Sequence, residues 1–151
     1  MISTAVETAV GRIGIVEVNG AIVQVNWEGQ TSADMTSLLS EAAQQMRAYF
    51  AGELTVFDLP LAPCGSNFQQ SIYTAMSAIP FGQTRTYGEL AHQVDGFAQA
   101  VGQACGSNPI PIIIPCHRVL AAKGLGGYSG LGGLETKIKL LQLEDAFPYL
   151  L

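Results

Sequence analysis

The chain has 151 residues, of which 48% are hydrophobic and only 13% are charged. This composition excludes an intrinsically disordered protein and supplies enough apolar side chains for one domain or two small ones. No apolar run is long enough to span a bilayer, no secretory leader is recognisable, and three cysteines are too few for a disulfide framework. We therefore expect a cytoplasmic protein with no membrane partner.

The net charge of −5 arises entirely in the N-terminal part of the chain. Residues 1–63 contain two basic and seven acidic side chains, whereas residues 64–151 contain five of each. A nucleic-acid partner normally requires a basic surface. The neutral second part tolerates a polyanion but attracts it weakly, so we expect any such affinity to be modest at physiological salt.

The first third of the chain predicts a small sheet followed by a helix. Residues 2–27 have the pattern of strands, and Asn19-Gly20 suits the positive φ angles of a type I′ hairpin. A helix with an apolar stripe is predicted over 34–50, with Asp34 as its cap. A short extended piece is expected at 55–59.

The composition changes at Pro60-Leu61-Ala62-Pro63, where we place a domain boundary. Residues 1–60 are expected to form a supporting domain, and residues 61–151 the functional one.

The second part opens with a series of helices. Ser66 with Gln69 and Thr86 with Glu89 have the spacing of capping boxes, which predicts two helix starts. A further helix is predicted over 97–105, with Phe97 among its inward-facing residues. Two short helices joined by a glycine-containing turn indicate a helix-turn-helix, although most such hairpins serve only as structure.

Residues 109–115 contain three prolines, which exclude a helix or a central strand. We expect a stiff, extended segment that presents Cys116. Six glycines follow in residues 124–133, without the spacing of a phosphate-binding loop, and favour close passage over a ligand. The last helix is predicted over 134–146, with Leu134 packed inward.

Cys116 and His117 permit nucleophilic chemistry. A thiolate is the reactive form of cysteine, and an imidazole can remove its proton, here most simply through a water molecule. Glu144 is the carboxylate we select to orient the imidazole, and its alternative is an exposed charge at a helix end. A buried structural cysteine remains the alternative for Cys116. A zinc site is not expected, because no CxxC or HxxxH spacing occurs.

The motif Pro115-Cys116-His117-Arg118-Val119 resembles the active-site segment of the O6-alkylguanine-DNA alkyltransferases, also called methylated-DNA–protein-cysteine methyltransferases. The likeness covers most of residues 60–145, and the N-terminal part matches only loosely, through residues 8–11. The other segments that carry it are Ile79-Pro80-Phe81-Gly82, Thr86–Ala91, Ala100-Val101-Gly102, Asn108–Ile114, Gly127-Tyr128-Ser129-Gly130, and the helix with Lys137, Leu140, Leu141 and Glu144.

The resemblance implies an α+β fold. A small N-terminal antiparallel sheet with a helix, ribonuclease H-like, would pack on a mostly helical, winged-helix-like C-terminal domain with a helix-turn-helix. It also implies a monomer that repairs double-stranded DNA by direct reversal, with no metal or organic cofactor. The alkyl group of a flipped O6-alkylguanine, or of O4-alkylthymine, would pass irreversibly to Cys116, once per molecule.

By the same resemblance, residues of this chain take named roles. Tyr87 would help rotate the nucleotide and protonate the departing guanine, and Asn108 would brace the active-site turn. Tyr128 and Ser129 would close over the base, and Cys105, Pro111 and Val119 would shape the pocket. The residues expected to contact DNA are Tyr87, Ala98, Gln99, Ala100, Gly102 and Arg118.

One position departs from the family pattern. Nine residues before Asn108 the family usually has an arginine that replaces the flipped base in the duplex, and this chain has Gln99. Glutamine can hydrogen-bond the orphaned cytosine, but it has less reach and no charge, so lesion capture from duplex DNA is expected to be weaker. The competing classes are a lesion-sensing relative without alkyl transfer, a plain helix-turn-helix module and a cysteine hydrolase.

Overall fold

The structure is a computed structural model, and it describes residues 1–146. Residues 147–151, the end of the expected functional domain, lie outside the described part. The chain divides into two compact units, of which the first comprises Met1–Cys64 and the second begins at Gly65. In residues 1–146 no helix has both the length and the apolar character to cross a membrane.

The first unit contains a three-stranded antiparallel sheet, in the order β1 (Ile2–Thr8), β2 (Gly11–Val18) and β3 (Ala21–Asn26). The predicted hairpin is confirmed, since Asn19 and Gly20 both have positive φ, at 51° and 79°. Glycine and asparagine tolerate that region of φ, so the turn matches the twist of its strands.

Helix α1 (Ser37–Phe50) begins at Thr36, not at the predicted cap Asp34. The Thr36 side chain accepts a hydrogen bond from the amide of Leu39 and donates one to the buried carboxylate of Glu17. This second partner on β2 explains why the later residue is the cap. The extended piece predicted at 55–59 is not a strand, and the only strand-like pairing nearby joins Leu61 to Ile22.

Four helices dominate the second unit. Helix α2 (Asn67–Ser77) and helix α3 (Tyr87–Gln93) both begin at the predicted capping boxes, which are formed in full. Helix α4 (Ala98–Gly106) packs against both α2 and α3. The α+β class is therefore confirmed.

A small parallel sheet and a final helix complete this unit. Strand β4 (Arg85–Thr86) pairs with β5 (Val119–Leu120), and helix α5 (Leu134–Leu143) lies near the turn that holds Cys116. Helix α5 ends three residues before the predicted Ala146. Leu134 is 47% exposed instead of packed, because the buried face of the helix starts two residues later.

The proline-rich segment is folded into a tight turn, so the expectation of a stiff extended segment was wrong. Ile112 has a φ of 73°, and the amide of Ile114 donates to the carbonyl of Ile110 at 2.9 Å. A β-branched residue in this region costs roughly 1–3 kcal/mol. Burial of the isoleucine side chains offsets that cost, which proline content alone did not indicate.

The turn between α3 and α4 corrects a second expectation. Phe97, predicted to face inward, is 81% exposed. It is the N-cap of α4, outside the helical repeat, whereas the buried face of that helix consists of Val101, Ala104 and Cys105.

Candidate active site

A cavity of about 450 Å³ in the second unit gathers most of the residues singled out from the sequence. Its walls come from the start of α3, the second half of α4, the turn at Cys116 and the glycine-rich loop. Six of the eight lining residues were predicted to be catalytic, pocket or DNA-contacting residues, and the other two are Gly106 and Gly127. The lining residues are Tyr87, Gly102, Cys105, Gly106, Cys116, Gly127, Tyr128 and Ser129.

Asn108 fixes the turn that carries Cys116. Its amide nitrogen donates to the carbonyl of Ile114 at 2.8 Å, and its amide oxygen accepts from the backbone amide of Ile110 at 3.0 Å. The side chain thus spans both ends of the turn that contains the left-handed Ile112. Because Asn108 is itself buried, these bonds do not compete with water.

The Cys116 thiol lies in a low-dielectric environment. Burial raises its pKa, while a hydrogen bond with Asn108 and the charge of Lys137 oppose that rise. The net direction is upward, so the resting group is the neutral thiol. A thiol held in this form needs a base when it reacts.

His117 and Glu144 form a fully buried pair, with 2.7 Å between Nε2 and Oε2. Burial lowers the pKa of His117, although its hydrogen bond and charge interaction with Glu144 work against that effect. The ring is therefore neutral near pH 7 and donates its Nε2–H to the carboxylate. Its other nitrogen, Nδ1, finds no hydrogen-bond partner within residues 1–146 and retains a lone pair.

Arg118 supports Glu144 from the other side. Nε and one terminal nitrogen of its guanidinium donate to the two carboxylate oxygens at 2.8 and 2.9 Å, and the other terminal nitrogen donates to the carbonyl of Ile79 at 2.7 Å. The expectation that Arg118 contacts DNA was wrong, because its side chain is 8% exposed and its donors are used inside the protein. A guanidinium fork matches a buried carboxylate better than a lone ammonium would.

Lys137 belongs to the family motif, but no role was predicted for it from the sequence. Its Nζ donates to three backbone carbonyls, of Val119, Leu125 and Gly127, at 2.6 to 3.0 Å. Burial lowers its pKa to about 8, so it is still mostly cationic at pH 7. Its spacing from Leu140, Leu141 and Glu144 places it on the inward stripe of α5. That spacing is the feature of the sequence that could have predicted its burial.

Tyr87 is the first residue of α3 and faces the cavity. Its pKa is raised by burial first and then by the nearby Cys105 and Cys116, so the phenol keeps its proton at neutral pH. Gly126 passes over the ring: a side-chain carbon there would lie 2.9 Å from the phenol oxygen, and its φ is 72°. The glycine-rich loop therefore closes on Tyr87 in a way that only glycine allows.

Cys105 is the second thiol of the cavity, and its pKa is raised to about 12, mainly by burial. Burial also raises the pKa of Tyr128. Pro111 and Val119, predicted as pocket walls, are buried behind the site and do not line the cavity. Val119 contributes its backbone carbonyl to Lys137 instead of a side-chain wall.

Four of the six residues expected to contact DNA lie together on α4. Ala98 and Gln99 are exposed, and Ala100 and Gly102 are partly exposed. Gly102 is also part of the cavity wall, so this surface is continuous with the mouth of the cavity. In the described part of the chain, no three side chains of the metal-ligating types converge.

Comparison with known proteins gives matches to both units. A family profile described as "6-O-methylguanine DNA methyltransferase, DNA binding domain" matches residues 67–146, and one described as "6-O-methylguanine DNA methyltransferase, ribonuclease-like domain" matches residues 1–63.

The most similar curated relatives include two mycobacterial proteins, both named methylated-DNA–protein-cysteine methyltransferase. The chain is 50% identical to the Mycobacterium leprae protein over 80% of this chain and 71% of that protein. It is 54% identical to the Mycobacterium tuberculosis protein over 71% of this chain and 66% of that protein.

Solved structures give matches that cover nearly the whole chain. The Mycobacterium tuberculosis O6-methylguanine methyltransferase superposes with a TM-score of 0.84 at 37% identity, covering 96% of this chain and 93% of that one. The Mycobacterium tuberculosis OGT in complex with DNA superposes with a TM-score of 0.85 at 42% identity, covering 95% and 92%.

Proposed function

The chain belongs to the O6-methylguanine-DNA methyltransferase family, a family of DNA repair by alkyl transfer to a protein cysteine, and from that premise we propose that Cys116 is the acceptor. The observation that carries the assignment is the buried pair of His117 and Glu144, which leaves the lone pair of His117 Nδ1 available. Cys116, the preceding residue in the sequence, is a neutral thiol.

The reaction begins with the proton of the thiol. His117 Nδ1 accepts it through a bridging water, and Glu144 stabilises the imidazolium that forms. Arg118 holds the carboxylate of Glu144 in place through two hydrogen bonds. The sulfur of Cys116 then attacks the alkyl carbon, the carbon–O6 bond breaks, and its electron pair remains on the guanine.

Tyr87 supplies a proton to the departing base. Its raised pKa keeps the phenol protonated until negative charge develops on the guanine, which makes it a general acid and not a resident phenolate. Tyr128 and Ser129, which line the same cavity, close over the base. The thioether has no easy reverse route, so each molecule reacts once and needs no cofactor.

Helix α4 is the surface we assign to double-stranded DNA, with α3 as the first helix of a helix-turn-helix. Gln99 occupies the place of the extruded base and hydrogen-bonds the orphaned cytosine, more weakly than an arginine would. We extend the substrates to O4-alkylthymine, because it presents its alkyl group on an exocyclic oxygen of the same kind. The protein is expected to act as a monomer.

Incubation with a duplex that contains one O6-methylguanine tests this proposal. The intact mass should rise by one methylene, and peptide mapping should place it on Cys116. Cys116→Ser should show no gain in mass while it still binds the duplex. Binding without any gain in mass for the unchanged protein would instead indicate a lesion sensor, and a modification on Cys105 would assign the acceptor differently.

A further inference from the structure

An exposed aromatic side chain lies at the start of α4, the helix that forms one wall of the cavity. Phe97 is 81% exposed, more than any other aromatic residue in the described part of the chain. Other rings, such as those of Tyr49 and Tyr73, are almost completely buried. Single exposed apolar side chains are common on proteins, so position must decide whether this one has a role.

Its position is set by helix α4. That helix supplies Gly102, Cys105 and Gly106 to the wall of the cavity. At ~1.5 Å of rise per residue, Gln99 lies about 4.5 Å and Phe97 about 7.5 Å along the axis from Gly102. Phe97 and Gln99 are thus about 3 Å apart along the axis, which is comparable to the ~3.4 Å between stacked bases.

The backbone beneath Phe97 is well held. The amide of Gly96 donates to the carbonyl of Ala91 at 2.8 Å, and the carbonyl of Phe97 accepts from Val101 at 3.0 Å. A side-chain carbon at Gly96 would lie 3.1 Å from the ring of Phe68, so the turn is packed against α2. Phe97 is thus presented by a fixed turn.

The surface around α4 has few basic side chains, so an apolar contact would contribute a larger share of the affinity for DNA. Residues 85–108 contain one arginine against two acidic side chains. The guanidinium of that residue, Arg85, is hydrogen-bonded to the carbonyl of Thr84 and the side chain of Gln83. Phosphate contacts from this region are therefore few, and electrostatic attraction supplies little of the affinity.

We propose that Phe97 is an apolar wedge that enters the base step next to the lesion when α4 binds duplex DNA. Inserted phenylalanines unstack neighbouring bases and bend the duplex, which lowers the further cost of extruding a base. Gln99 then occupies the vacated position, while Phe97 holds the adjacent step open. This inference rests on the proposed function, since it requires that α4 faces DNA.

Two measurements test the wedge. The first is the ratio of the alkylation rate on an O6-methylguanine duplex to the rate with free O6-benzylguanine. Phe97→Ala should lower this ratio roughly five- to one-hundred-fold, the range for loss of one aromatic–base stack. Phe97→Leu, which keeps an apolar wedge, should stay within about threefold of the unchanged protein. Val56→Ala, at a 71% exposed apolar position of the first unit, is the matched control and should change nothing.

The second measurement needs no alkyl transfer. The fluorescence of a 2-aminopurine placed next to the lesion should increase when the Cys116→Ser protein binds. This increase should be lost in the Cys116→Ser, Phe97→Ala double variant. A wedge would therefore still be detected if Cys116 proved not to be the acceptor. The proposal would be overturned by an unchanged rate ratio for Phe97→Ala. It would also be overturned if Cys116→Ser and the double variant increased the 2-aminopurine fluorescence equally.

Discussion

Two regions of the second unit differ in burial and charge. In one region Glu144, His117 and Arg118 are buried and joined to one another by hydrogen bonds of 2.7 to 2.9 Å. The buried Lys137 donates separately to three backbone carbonyls at 2.6 to 3.0 Å. On α4, by contrast, the residues that face outward are uncharged, and the most prominent of them is the ring of Phe97.

The difference separates the chemistry from the capture of the substrate. A buried carboxylate with several charge-assisted hydrogen bonds has one arrangement, so the imidazole and thiol that depend on it are positioned before any substrate arrives. The surface of α4 makes no such demand on its residues and can vary without loss of the fold. The stability of the protein should therefore be sensitive to single changes in the reaction centre and tolerant of those on the surface of α4 that we assign to DNA.

The largest effect is expected from Glu144→Gln. The amide cannot balance Arg118, and it leaves a buried guanidinium without its partner, which costs about 3–5 kcal/mol of unfolding free energy. Chemical denaturation measures this loss. Glu135→Gln, on the exposed side of the same helix, is the control and should cost less than about 1 kcal/mol. Equal effects for the two variants would show that the buried network does not hold the site.

Lys137→Met should have the next largest effect. It removes the donor shared by three carbonyls, and we expect a loss of about 2–3 kcal/mol, less than for Glu144, because Gly127 is exposed and its carbonyl can bind water. The positive charge that opposes the raised pKa of Cys116 is also lost, so alkylation should slow. Lys139→Met, exposed on the same helix, should match the unchanged protein in denaturation and in rate.

The pH dependence distinguishes a base-assisted thiol from a free thiolate. His117 must be neutral to accept a proton, and burial lowers its pKa below its usual value of about 6.5. The rate with free O6-benzylguanine should therefore be nearly constant between about pH 6.5 and 8 and fall below that range as the imidazole becomes protonated. A tenfold rise per pH unit through neutrality would instead indicate attack by a thiolate formed without His117.

Much of this arrangement could be predicted from local sequence. The capping boxes at Ser66 and Thr86 and the Asn19-Gly20 turn depend on residues only a few positions apart, and all three formed as predicted. The grouping of Cys116 with Tyr87, Tyr128 and Ser129 around one cavity followed from the family motifs.

The errors concern side chains whose partners are distant in sequence. Arg118 was expected on the surface because its partner Glu144 lies 26 residues away. The role of Lys137 was not predicted because its acceptors are backbone carbonyls, which no side-chain motif records. Phe97 was placed inside because hydrophobicity alone cannot show that a residue precedes the helical repeat.

The smallest effect in this series is expected at Gln99. Gln99→Arg places a charged, bidentate donor on the exposed face of α4, and we expect it to raise the rate on duplex DNA roughly three- to tenfold. Gln103→Arg, also exposed on α4 but nearer its C-terminal end, tests whether added charge alone is sufficient and should raise the rate less.

The central claim is that the reaction centre is complete and that capture of the lesion limits repair. The most direct test is the ratio of the rate on an O6-methylguanine duplex to the rate with free O6-benzylguanine, measured for the unchanged protein and for Gln99→Arg. We predict a higher ratio for the variant, caused by faster reaction with the duplex. Equal rates on the duplex for the two proteins would contradict the claim.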